Sequence, residues 1–190
     1  MHSLAFTCKL PPTLVDTLLY MGLTDDQIRH LIACRKIISK PPKRRLAAQG
    51  RHQRNDFELV SEEGAHKFSA FMRQSMEFPE NFSIGLVYVS SEDGSRTCLL
   101  RCNGPHGEVH SLPSTPDHHF RYHIHIATED ALQQGLRPES SVSATNDYST
   151  FEEACVYFIR TCGILEPEKY FAYFQPEIDR QLGLFEDKDD

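Results

Sequence analysis

The stretch His119-Phe120-Arg121-Tyr122-His123-Ile124-His125-Ile126 governs how the whole chain is read. Side chains alternate across a β-strand, so Phe120, Tyr122, Ile124 and Ile126 are expected on a core face and His119, Arg121, His123 and His125 on the opposite one. Three imidazoles and a guanidinium are more titratable chemistry than a solvated strand needs, which makes the polar face the candidate functional site.

Upstream, Phe82 to Val89 and Thr97 to Asn103 have strand character and are joined through Asp93-Gly94, a strong hairpin signal. Asp56 to Val60 reads as a further short strand, and Glu62 to Ser75 as a helix capped by Ser61 that buries Ala65, Phe68, Phe71 and Met72. Downstream, Gly104 to Asp117 is a loop and Ala131 to Ser149 is mostly irregular. A helix then starts at the capping box Ser149-x-x-Glu152, buries Phe151, Cys155, Phe158 and Cys162, and stops at Gly163.

At the other end, two short helices are expected, over Leu14 to Tyr20 and Asp25 to about Arg35, the second opened by the capping box Thr24-x-x-Gln27. The pair suits a small helix-turn-helix, a helical appendage docked on the main domain, or a homodimer contact. The fold class is therefore α+β, an antiparallel β-meander packed against helices with an N-terminal helical pair. The expected divisions are a helical pair over 1–40, a basic linker over 41–55, an α+β core over 56–165, and an aromatic segment with an acidic tail over 166–190.

The 190 residues, 39% hydrophobic and 25% charged, are enough for one domain with a proper core. The sequence has no apolar run long enough for a membrane span and no signal-peptide pattern at Met1 to Phe6, so no membrane partner and a cytoplasmic location are expected. Six cysteines without a Cys-x-x-Cys favour reduced, buried thiols over a zinc ribbon or disulfide framework. The net charge of −7 is uneven: Lys36, Lys40, Lys43, Arg44, Arg45 and Arg51 lie in a stretch without an acidic residue. Such a stretch is either a nucleic-acid contact or a solvated linker.

The polar face supports two chemistries. His123 and His125, two apart on a strand, can bridge one metal ion, and with His119 and loop residues such as Asp117, Glu108, His106 or His110 they would form a zinc or manganese site. Metal-free phosphodiester cleavage needs instead a general base, a general acid and positive donors for the phosphoryl oxygens. There His123 and His125 would be acid and base, Arg121 and Arg101 electrostatic stabilisers, and Asn103 and His106 positioning groups.

The phrases Arg54-Asn55-Asp56-Phe57-Glu58-Leu59, Arg101-Cys102-Asn103-Gly104-Pro105-His106-Gly107 and Tyr122-His123-Ile124-His125-Ile126-Ala127-Thr128-Glu129 carry a resemblance to an uncharacterised family of bacterial proteins, over about Asn55 to Ile164. More distantly, Asn103, Gly104, His106, His123 and His125, followed by a Phe-led helix, resemble the TumE-type toxins of toxin-antitoxin pairs. Those toxins tend to have an arginine between the paired histidines where this chain has Ile124. That resemblance implies action on RNA. Three functions are thus expected to compete: a toxin-like ribonuclease or phosphodiesterase, a non-enzymatic regulator or inhibitor binding nucleic acid or protein, and a metal-dependent hydrolase.

Overall fold

The computed structural model describes residues 22–43, 45–106, 117–137, 141–171 and 174. One antiparallel sheet of eight strands dominates: β1 (Lys36–Lys40), β2 (Ala47–Gln49), β3 (His52–Ser61), β4 (Lys67–Ser75), β5 (Phe82–Val89), β6 (Arg96–Asn103), β7 (His123–Ile126) and β8 (Ser141–Ala144). Their order is β1-β3-β4-β5-β6-β7-β8, with β2 also paired to β3. From β3 onward each strand pairs with the next in sequence, so this part of the sheet is an antiparallel meander.

Among the described residues three helices accompany the sheet, α1 (Asp25–Ala33), α2 (Glu129–Gln133) and α3 (Phe151–Thr161). Ile28, Leu31 and Ile32 of α1 and Phe151, Ala154, Cys155, Phe158 and Ile159 of α3 join the sheet's inward residues, among them Phe57, Phe68, Met72, Ile84, Leu86 and Ile124, in a single core. The α+β architecture agrees with expectation. Thr24 caps α1 through the expected reciprocal box with Gln27, whereas α3 starts one residue late, with Thr150 accepting from the Glu153 amide. The expected first helix, over 14–20, lies outside the described residues. Among the described residues no helix is long and apolar enough to cross a membrane.

Three expectations need correction. Glu62 to Ser75 is not a helix: residues up to His66 form a turn in which the Ser61 hydroxyl accepts from the His66 amide, and β4 follows. Phe68, Phe71 and Met72 satisfy helical spacing, but Phe68, Ala70 and Met72 also alternate. The second period wins because β3 and β5 supply ladder partners on both sides. The stretch 41–55, expected as a linker, contributes β2 and the start of β3. The region from 131 to 149, expected to be mostly irregular, holds the end of α2 and strand β8.

Lys36, first residue of β1, is fully buried. Its ammonium donates to the carbonyl oxygens of Ile32 (2.8 Å), Cys34 (2.8 Å) and Cys162 (2.9 Å) and lies 4.8 Å from the Phe68 ring centroid. An ammonium has three donors, and all three are used. The carbonyls belong to the C-terminal ends of α1 and α3, where the helix dipole concentrates negative charge, so two helix ends share one cation. Gly163 allows this convergence: it sits at φ 60° just past α3, and a Cβ there would be 2.9 Å from the carbonyl oxygens of Ala33 and Cys34. The backbone completes the joint, with Lys36 N–H donating to Gly163 and Leu165 N–H donating to Lys36.

Replacing Lys36 with Met would leave three buried carbonyls without donors, and the cost is expected to be on the order of 3 kcal/mol or more by urea unfolding. Burial holds the Lys36 pKa below its ordinary 10.5. Between the native value and 10.5 the unfolded chain therefore binds more protons at this site than the folded one. Wild-type stability relative to Lys36→Met should rise with pH across that interval. Paired urea titrations at neutral and alkaline pH check the sign.

Candidate functional site

The histidine-rich stretch is a strand only over His123–Ile126; Asp117–Phe120 forms a 3-10 turn ahead of it. The expected eight-residue alternation therefore holds only in part. Ile124 is buried, but Phe120 and Ile126 are 50% and 41% exposed, because the turn breaks the period and β7 lies near the sheet's edge. Tyr122 is half-buried and packs against Phe82 and Tyr148.

Register places the polar residues. Arg101 pairs with His125 and Asn103 with His123, so all four side chains leave the sheet on the face opposite the core residues Cys102 and Ile124. The chain continues from Asn103 through Gly104 to His106, whose backbone N–H donates to the His119 carbonyl at 2.8 Å. That bond draws the 3-10 turn over the end of β6. The result is a run of four imidazoles: His119 to His106 at 4.6 Å between ring centroids, His106 to His123 at 5.1 Å, and His123 to His125 at 5.0 Å.

The four are not equivalent. His123 is fully buried, while His106, His119 and His125 are half-buried. His123 Nδ1 lies 2.7 Å from the Arg121 carbonyl oxygen, which can only accept, so Nδ1 carries the proton. In the neutral ring Nε2 is then the acceptor, and Asn103 Nδ2 donates to it at 3.2 Å. With its amide nitrogen so directed, Asn103 leaves Oδ1 buried and without a hydrogen-bond partner among the described residues. His106 Nδ1 donates to the Gly104 carbonyl (3.1 Å), which fixes its tautomer and makes Nε2 the basic atom.

Tyr148, which the sequence reading did not single out, holds this end of the sheet together. Its buried hydroxyl accepts from the Asn103 N–H (3.1 Å) and donates to the His123 carbonyl (2.7 Å), clamping β6 to β7 at the two site residues. Burial raises its pKa above the ordinary tyrosine value, so it remains a protonated donor at neutral pH. The available signal was its position two residues ahead of the Thr150 cap, in line with the apolar face of α3.

Other expected site residues stand apart. The Arg121 side chain is exposed, and Arg121 contributes to the cluster through its carbonyl. Among the described residues no group of three or more His, Cys, Asp or Glu is arranged to hold a metal ion. Both ring nitrogens of His123 face protein partners. Glu108 and His110 lie outside the described residues. Lys36, counted in the basic stretch, is buried and unavailable to a nucleic acid.

Comparisons with family models, with curated proteins and with solved structures returned no match.

Tyr148→Phe removes one hydroxyl and leaves a buried N–H and a buried carbonyl at the end of the ladder without their partner. The expected loss is about 1 to 3 kcal/mol. Faster amide exchange at Asn103 than at Ile84, on the neighbouring strand, would show that the loosening is local.

Proposed function

We propose that the imidazole cluster at the end of β6 and β7 is a metal-independent acid–base site that cleaves a phosphodiester in RNA. The observation that carries this reading is the grouping itself: His106 and His125 flank the buried His123 at 5.1 and 5.0 Å, beside Asn103 Oδ1, a buried acceptor with no hydrogen-bond partner among the described residues. Burial argues for His123 as the residue that orients Asn103, and gives the acid and base roles to the half-buried His106 and His125.

In the reaction, one imidazole takes the proton of a ribose 2′-hydroxyl as that oxygen bonds to phosphorus. The bond from phosphorus to the 5′-oxygen breaks, and the leaving oxygen takes a proton from the second imidazole. A cyclic phosphate and a free 5′-hydroxyl result, with no other reactant. Arg101, next to His125 on the neighbouring strand, supplies positive charge where the phosphoryl oxygens become more negative. Asn103 Oδ1 is an acceptor suited to a ribose hydroxyl. The distant resemblance to TumE-type toxins points to the same substrate.

Purified protein is expected to cleave single-stranded RNA to products ending in a cyclic phosphate, with a bell-shaped pH profile. His106→Ala and His125→Ala should each reduce the rate by about 10²-fold or more and flatten one limb of that profile. Tightly induced expression in a bacterium should arrest growth with loss of total RNA for the wild type and not for His125→Ala. Equal rates in wild type and both variants, or intact RNA with the wild type, would sink the reading.

A further inference from the structure

The sheet face opposite the helices is an open groove with a volume of about 1080 Å³. Register aligns Asp56, Phe71, Gly85, Arg101 and His125 in one row across it, so the groove and the imidazole cluster share one surface. Four strands separate into three steps of about 4.8 Å, which puts the Phe71 position about 14 Å from that of His125.

The groove's charge runs against that of the chain. Its carboxylates Asp56 and Glu58 are paired with Arg54 and Lys40. Lys67, Arg73 and Arg96 line the same groove and make no ion pair among the described residues, and Arg101 adds its charge on the side of β7. A protein of net charge −7 thus presents a cationic concavity.

The groove also holds an aromatic surface. The Phe71 ring lies across Gly85, where a Cβ would come within 2.4 Å of Cζ, so glycine is required for the ring to rest on the sheet. The guanidinium carbons of Arg73 and Arg101 lie 5.0 and 5.7 Å from its centroid. A half-buried ring with guanidinium groups over it on a sheet face is a site where a nucleobase can stack together with those cations.

We infer that this face is the binding track for single-stranded RNA that leads to the imidazole cluster, an inference that rests on the acid–base reading above. Phe71 stacks an unpaired base, and Lys67, Arg73 and Arg96 take phosphates. The strand then passes Arg101 to reach His125. A duplex offers no free base face to Phe71, and an acidic peptide gains nothing from it. Asn103 Oδ1 favours a ribose bearing its 2′-hydroxyl over deoxyribose.

The test is fluorescence anisotropy of a short labelled single-stranded RNA against the full chain, over a range of salt, with single-stranded DNA, duplex RNA and polyglutamate as competitors. His125→Ala serves as the background in which RNA is not cut. Phe71→Leu is expected to weaken RNA binding roughly tenfold with no change in salt dependence. Lys67→Gln/Arg73→Gln should lower the slope of log affinity against log salt by about 1.4, or about 0.7 per phosphate contact. Both changes lie on the open face, and unchanged thermal midpoints would establish that the variants fold.

Binding indifferent to these substitutions, or competition by polyglutamate or duplex RNA as strong as by single-stranded RNA, would overturn the track. RNA cleaved by the wild type with KM unchanged in the groove variants would overturn it while leaving the catalytic reading intact. RNA held in the groove but not cut would uphold the track as a binding surface and overturn the catalytic reading.

Discussion

One buried ammonium organises the molecule. Lys36 gathers the C-terminal ends of α1 and α3 onto the first strand, and its three donors match three helix carbonyls. Burying a charge in an apolar core is costly unless every donor is met and the local potential is favourable. Both conditions hold here, since each helix end lacks donors for its last carbonyls and carries partial negative charge. The cation that the core would otherwise reject thus fixes how the two helices meet the sheet. Gly163 keeps the helix ends close enough for one side chain to serve both.

With both helices committed to one face, the other face of the meander is left open, and the register of β6 against β7 determines what it displays. Arg101 beside His125 and Asn103 beside His123 follow from pairing alone, and a slip of β7 by one residue would send His123 and His125 into the core. Tyr148 guards against such a slip at the ladder's end by bonding to both strands. Its place just ahead of α3 ties the site to the same helix that Lys36 anchors at its far end. The cluster is therefore built on rigid elements, with His123 holding an amide whose oxygen has no hydrogen-bond partner among the described residues.

The thiols fit this division of faces. Cys102, Cys155 and Cys162 are buried in the core, and burial raises the pKa of Cys102 well above the ordinary thiol value and that of Cys162 to about 12. They pack as small apolar side chains, with little thiolate character at neutral pH.

Much of the fold was legible in local patterns. The β5–β6 hairpin was marked by Asp93-Gly94, α1 by Thr24 and Gln27, and α3 by its apolar stripe and terminal glycine, because turns, caps and amphipathic periods are written in neighbouring residues. The sequence also singled out Arg101, Asn103, His106, Arg121, His123 and His125 as candidate site groups on two strands and the adjoining loop. It did not contain the choice between two periods at Phe68 to Met72, which depends on ladder partners from distant segments. Nor did it reveal that Lys36 turns inward, that His123 is enclosed, or that Tyr148 closes the ladder. Those outcomes rest on contacts between segments as much as 126 residues apart, such as Lys36 with Cys162. Composition and spacing determined which residues could form the elements; only the folded arrangement decided which charges lost their water, because desolvation is set by what the rest of the chain brings alongside.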